Sequence, residues 1–169
     1  MLFELKNHLL KKTFFISFLC VINFVFDKQA RGDILVEGGL GGATSTQIAV
    51  QNVTSGVVPA LLVGVGWQWQ PRSVFKARFT TFEADGANQN LTLGVEYDLF
   101  RNIAGLLGQA GLSHGSRTGF GNIIGIGLYA RVSLHPVLRI RAESTINTVF
   151  RNDLGGLNGQ FFLILEWKL

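Results

Sequence analysis

The sequence predicts an all-β protein, an eight-stranded antiparallel up-and-down transmembrane β-barrel. Eight short segments alternate large apolar with small or polar residues, turn-forming residues separate them, and each is near the roughly 9 to 11 residues that a tilted strand needs to cross a bilayer. The predicted strands are Asp33–Thr44, Pro59–Gln70, Arg72–Glu83, Asn90–Phe100, Ile103–Ser113, Phe120–Leu134, Leu138–Phe150 and Gln160–Leu169.

The connections between these segments are alternately longer and shorter. The longer ones are predicted at Ala43–Val58, Glu83–Gln89, His114–Gly119 and Arg151–Gly159, and the shorter ones at Gln70–Ser73, Arg101–Asn102 and His135–Pro136. Short turns of outer-membrane barrels face the periplasm and longer loops face outward. We therefore expect the barrel to begin and end on the periplasmic side.

A secretory signal peptide is predicted at residues 1–30, followed by the barrel domain at residues 31–169. Lysines precede the 14-residue apolar segment Thr13–Phe26, which is short for a spanning helix and has the order of charge and hydrophobicity of an export signal. Ala30 fits the last signal position, although the cleavage site is left open. An uncleaved amphipathic or membrane anchor is the alternative.

Cysteine content and charge exclude several classes of function. Cys20 is the only cysteine, so a chain without the leader has no disulfide, no cysteine metal site and no cysteine nucleophile. Lipidation at Cys20 is disfavoured by the bulky Leu19 before it. Removing the leader's four Lys and two acidic residues from 15 and 11 leaves 11 and 9, a net charge of +2. With the arginines scattered singly, we expect no nucleic-acid partner.

Glycine placement predicts which face of the strands meets lipid. In the second strand Val63 and Val65 share one face, and Gly64 and Gly66 share the other. A soluble barrel gains nothing from glycines on its wet surface, whereas a narrow eight-stranded lumen needs small residues. The large apolar face is thus predicted to contact lipid, with interfacial aromatic residues at Trp67, Trp69, Tyr97 and Trp167. Ordinary core packing of these four aromatic residues is the alternative.

Charged residues in the strands share the other, inward face. The predicted lumen charge network is Glu37, Lys76, Arg78, Glu96, Asp98, Arg131, Arg139, Arg141, Glu143 and Glu166. A hairpin centred on residue 87 would place Lys76 opposite Asp98 and Arg78 opposite Glu96. We interpret the network as a salt-bridged plug, because eight strands leave an interior that their own side chains fill. A narrow channel for small solutes is the alternative.

The strands VGVGWQW and GNIIGIGLYARVSL and the terminal strand FFLILEWKL resemble the small outer-membrane barrels of the OmpA, OmpX and OmpW kind. The resemblance implies export to the outer membrane of a two-membrane bacterium, with no cofactor. It also implies contact with outer-membrane lipids, lipopolysaccharide, the barrel-assembly machinery and periplasmic chaperones. A structural, adhesive or surface-interaction role through the four outward loops is expected. The chain departs from the family pattern by ending in Leu169 instead of an aromatic residue.

A weaker resemblance, to lipid A deacylase barrels of the PagL type, supplies the enzyme alternative. The stretch Arg141–Asn147 keeps the family's arginine and an asparagine but lacks its catalytic histidine. His114 and Ser116 have the His-x-Ser spacing and are the only candidate base and nucleophile. We favour no enzymatic activity. No metal site is expected, because the histidines, His8, His114 and His135, fall in separate parts of the predicted topology.

Overall fold

A computed structural model describes residues 32–47, 56–83, 86–151 and 154–169, so the predicted signal peptide lies outside the described residues. The described chain forms eight strands: β1 (Asp33–Gln47), β2 (Val58–Gln70), β3 (Ser73–Glu83), β4 (Ala87–Phe100), β5 (Ala104–Gly115), β6 (Gly119–His135), β7 (Leu138–Arg151) and β8 (Leu154–Lys168). None of the described residues belongs to a helix long and apolar enough to span a membrane.

The strands form a closed barrel in chain order. Each strand pairs antiparallel with the next, and β8 pairs antiparallel with β1. Closure leaves no strand edge unpaired, which is the arrangement that a β-structure needs in a solvent without hydrogen-bonding partners. The prediction of an eight-stranded antiparallel up-and-down barrel is confirmed.

The strands extend further toward the longer connections than predicted. We call this side the loop end, and the side with Asp33 and Lys168 the terminal end. Strand β8 begins at Leu154, not at Gln160, and β4 begins at Ala87, not at Asn90. Three of the four loop-end connections, at 84–86, 116–118 and 152–153, are therefore only two or three residues long, and the predicted alternation of lengths is wrong there. Only the connection 48–57 is longer. Hydrogen bonding between strand backbones does not depend on side-chain polarity. The strands therefore continue through polar residues that the sequence had assigned to the connections.

The two faces of the strands segregate as predicted. Along β6, Ile124, Ile126 and Leu128 point outward and are exposed, while Ile123 and Tyr129 point inward and are buried. The same alternation covers β2, where Leu61, Val63 and Val65 are outside. A continuous apolar belt on the outside of a barrel, with charges inside, is the reverse of a water-soluble barrel.

We predict that Ile126→Arg and Phe120→Arg, on the same outer face of β6, differ in their effect on stability. The wild-type side chains are equally exposed, at 72% and 75%, but Ile126 lies near the middle of the strand and Phe120 near its loop end. In a bilayer, arginine costs about 2 to 4 kcal/mol at mid-depth and about 0 to 1 kcal/mol near an interface. Urea titrations of the barrel in phospholipid vesicles measure the two free energies of unfolding. Equal losses would contradict a membrane-spanning belt.

Candidate functional site: the charged lumen

Nine charged side chains meet inside the barrel, nearer its terminal end than its loop end. We call them the charge layer: Glu37, Lys76, Arg78, Glu96, Asp98, Arg131, Arg141, Glu143 and Glu166. Their side chains are at most 2% exposed. All have inward parity on β1, β3, β4, β6, β7 and β8, so the closed sheet directs them to a shared interior.

Lys76 holds three carboxylates from three strands. Its Nζ lies 2.5 Å from Glu37 Oε2, 2.6 Å from Glu166 Oε1 and 3.1 Å from Glu96 Oε1. An ammonium group has three donors, so one lysine can serve all three acceptors. The contacts link β3 to β1, β4 and β8.

Arg78 makes a second set of contacts beside the first. Its Nε lies 2.5 Å from Glu37 Oε1, its Nη1 2.7 Å from Glu143 Oε1 and its Nη2 3.2 Å from Glu96 Oε1. A glycine leaves the necessary room, because a Cβ on Gly64 would lie 2.6 Å from Glu37 Oε1 and 3.0 Å from Arg78 Cγ. The glycine alternation of β2 therefore makes space for ion pairs.

Arg141 closes the centre of the layer from β7. Its Nη1 lies 2.5 Å from Glu96 Oε1 and 3.2 Å from Glu166 Oε1, and its Nη2 pairs with Glu143. The guanidinium carbon also lies 3.9 Å from the centroid of the Tyr129 ring. Arg141 thus contacts three carboxylates and also the face of an aromatic ring, an arrangement that favours a planar cation.

Tyr129 belongs to the site and was missed from the sequence. Its hydroxyl donates to Asp98 Oδ1 at 2.5 Å, and Arg131 pairs with Asp98 Oδ2. Tyr129 therefore connects the Arg131–Asp98 pair to Arg141 and the rest of the charge layer. The available signal was its parity, because Tyr129 shares the inward face of β6 with Arg131.

The predicted register of β3 and β4 is wrong: the residue opposite each β3 position lies four residues earlier in β4 than predicted. Lys76 lies opposite Gly94 and Arg78 opposite Thr92, because the hairpin is centred on residue 85 and not on residue 87. Glu96 still reaches both cations diagonally. Asp98 instead pairs with Arg131 of β6.

Arg139 differs from the other predicted members of the network. It is half-buried, lies opposite Glu166 in the β7–β8 register, and makes no ion pair within the described part of the chain. Its Nη1 is buried without a hydrogen-bond partner there. The charge layer holds four cations and five carboxylates, so Arg139 supplies the fifth positive charge just outside it.

Toward the loop end, the lumen has an amide-rich wall and an apolar wall. Gln109 donates from Nε2 to Asn147 Oδ1 at 2.7 Å, passing over Gly125, which lies between them in the β5–β6–β7 register. The opposite wall is apolar and was not predicted; it comprises Ala43, Ala60, Leu62, Phe82, Phe162 and Ile164. Buried amide and apolar side chains therefore line the lumen above the charge layer.

The predicted interfacial aromatic residues all lie on the outer surface at the terminal end. Trp67 and Trp69 stack on Phe75, with centroid distances of 6.3 Å and 5.3 Å. Tyr97 and Trp167 are about half exposed. Their contact with a lipid interface stays a prediction.

The structure does not bring His114 and Ser116 into a catalytic pair. His114 lies on the outward face of β5, where its ring packs at 4.5 Å from that of Phe120. Strand β5 ends at Gly115, so Ser116 falls in the turn and no longer shares the face of His114; the Ser116 backbone amide donates to Ala87 O. No hydrogen bond joins the two side chains among the described residues.

Comparison with known proteins gives likeness of structure only. No protein-family model matches the chain, and no curated protein matches it by sequence. Neisserial surface protein A matches with a TM-score of 0.62 and 13% identity, over 80% of this chain and 97% of that one. The attachment invasion locus protein Ail of Yersinia pestis matches with a TM-score of 0.56 and 9% identity, over 80% and 99%. Ail in a phospholipid nanodisc gives 0.50 and 15%, over 82% and 100%.

The closed sheet, the outer apolar belt and these matches together define the class. The chain has the fold of the small eight-stranded outer-membrane β-barrels. In the part of the chain that the structure describes, the charge layer closes the lumen of this barrel.

We predict that Arg141→Met lowers the free energy of unfolding far more than Lys168→Met. Arg141 removal leaves three buried carboxylates without one of their cations, and breaking a buried ion pair costs about 3 to 5 kcal/mol. Lys168 pairs with Asp33 at 2.6 Å, but both side chains are partly exposed, and such pairs are worth about 0 to 1 kcal/mol. Urea titration in detergent measures both variants. Similar losses would mean that the charge layer adds no stability.

Proposed function

We propose that this protein is an integral outer-membrane barrel that acts at the cell surface, in a structural, adhesive or interaction role, without conducting solutes. The observation that carries the proposal is the closed charge layer, whose side chains are at most 2% exposed. A lumen filled in this way leaves the loop end as the part of the barrel that is open to partners.

Three features support this placement in the envelope. The outer belt is apolar, and the aromatic residues Trp67, Trp69 and Tyr97 lie at the terminal end. All three connections at that end have two or three residues, whereas one at the loop end, 48–57, has ten. Short periplasmic turns are typical of outer-membrane barrels. The proposed partners are outer-membrane lipids and lipopolysaccharide around the belt, and the assembly machinery and chaperones during biogenesis.

The connection 48–57 is the proposed site of surface recognition. It is the one loop-end connection longer than three residues, so it offers the longest stretch of sequence between two strands at that end. The name of Ail, an attachment invasion locus protein, supports an adhesive role for a barrel of this shape. The predicted loops at 83–89, 114–119 and 151–159 are largely strand here and contribute only their tips.

Membrane insertion is tested first. We expect the mature chain in the outer-membrane fraction, with gel mobility that differs between boiled and unboiled samples because a folded barrel resists detergent. A chain that stays soluble without detergent would exclude the proposal.

We predict that the wild-type barrel gives no steady conductance in planar bilayers, because the charge layer closes the lumen. Glu96→Gln is the matched perturbation, since Glu96 accepts from Lys76, Arg78 and Arg141 in the centre of the layer. Steady wild-type channels whose conductance changes in Glu96→Gln would favour the solute-channel alternative.

We predict that replacing residues 48–55 by a short Gly-Ser linker abolishes surface attachment while the barrel still folds. The assay compares adhesion of a Gram-negative host expressing each variant to epithelial cells and to bare glass. The control is Arg117→Ser, in the three-residue connection 116–118. Unboiled gel mobility verifies folding. Full adhesion by the linker variant would place recognition elsewhere.

A further inference from the structure

Two terminal-end turns lie side by side on β3 and β4. The amide of Asp98 donates to Arg72 O at 2.8 Å, and the amide of Asn102 donates to Asp98 Oδ2 at 3.2 Å. Asp98 therefore joins the connection 71–72 to the connection 101–103. Each connection carries one arginine, Arg72 or Arg101, and both residues are exposed.

Neither arginine has an acidic partner in the described part of the chain. The nearest carboxylate in the hydrogen-bond network, Asp98, is buried and already pairs with Arg131 and Tyr129. Asp33 is the acidic residue of the described chain that lies at this end outside the lumen, and it is on β1, where it pairs with Lys168. The two turns therefore form a positive patch that the fold does not neutralise.

Aromatic side chains border this patch on the belt side. Tyr97 lies opposite Ser73, directly after Arg72, and is about half exposed. Phe100 precedes Arg101 and is 66% exposed, and Trp69 stacks on Phe75 at the end of the β2–β3 hairpin. Amphipathic rings at the edge of an apolar belt mark the headgroup level. The two arginines are thus at the depth of lipid phosphates.

We propose that Arg72 and Arg101 bind the headgroup phosphate of an anionic glycerophospholipid from the periplasmic leaflet. A guanidinium binds phosphate oxygens through parallel N–H donors, and two such groups on adjacent turns favour a lipid with net negative charge over a zwitterionic one. The acyl chains would lie along the belt beside Tyr97 and Phe100. The proposal rests on the proposed membrane orientation but not on the adhesive role.

Quenching of tryptophan fluorescence by brominated lipids tests the site. The chain has three tryptophans, and Trp167→Phe leaves only Trp67 and Trp69, near the β2–β3 turn. The refolded barrel is placed in phosphatidylcholine vesicles with a minor fraction of brominated phosphatidylglycerol, or of brominated phosphatidylcholine as reference. Each basic residue near an anionic surface contributes about 1 kcal/mol, which is roughly fivefold in relative affinity.

We expect Arg72→Gln with Arg101→Gln to remove the preference for phosphatidylglycerol and Arg72→Lys with Arg101→Lys to weaken it. The control is Arg117→Gln, an exposed arginine in a turn at the loop end, which should keep the preference. Unboiled gel mobility shows that each variant is folded. An unchanged preference in the double glutamine variant, or no preference in the wild type, would overturn the proposal. Either result leaves the adhesion assay unaffected.

Discussion

The pairing of buried charges is the constraint on which the rest of this barrel depends. An eight-stranded lumen is about filled by its own side chains, so ions inside it can be neutralised only by one another. The barrel meets that requirement with three cations, Lys76, Arg78 and Arg141, that each contact three carboxylates, and with the separate Arg131–Asp98 pair. Lys76, for example, contacts carboxylates from three strands, β1, β4 and β8. Each such contact requires those strands to be in their native positions.

The same contacts specify the strand register. Side chains alternate between faces with a period of two, so a slip of one residue would move the charges of a strand from the lumen to the outer belt. An arginine on the lipid face costs up to about 2 to 4 kcal/mol, depending on its depth in the bilayer, and each of its former partners would then be a buried unpaired ion. Wrong registers are therefore penalised twice. Contacts from Glu37 on β1 and Glu166 on β8 to one lysine also favour closure of the first strand against the last.

The alternation of side chains along a strand made it possible to predict from the sequence which face each residue occupies. The ion-pair partners could not be predicted in the same way, because they are far apart in the sequence. Val65 was correctly assigned to the outer face and Arg78 to the lumen, because strand alternation and the apolar character of the outer face were sufficient for both assignments. The partners across β3 and β4 depended on where the hairpin between these strands is centred. The segment Asp85–Asn88 contains turn-forming residues at several positions, so the predicted centre was wrong by two residues. The partners of Glu143 and Glu166 depended on closure, which brings β7 and β8 against β3 across the lumen.

Tyr129 and the loop-end amides were missed for a different reason. A hydroxyl or amide of inward parity carries no charge to mark it, yet most buried polar groups in proteins are hydrogen-bonded. The Tyr129 hydroxyl bonds to Asp98, and Gln109 bonds to Asn147 across Gly125. Listing every inward polar residue, instead of every charge, would have included both pairs.

The charge layer lies at the end of the barrel opposite to the connection proposed for surface recognition. Its members lie toward the terminal end of their strands: Glu37 is the fifth residue of β1, Lys76 the fourth of β3 and Arg141 the fourth of β7. The connection 48–57 follows the opposite end of β1 along the chain. The ion pairs of the charge layer are formed by its own nine residues, so substitutions in this connection remove none of their partners. A recognition segment on such a scaffold is limited by its own contacts and not by the fold.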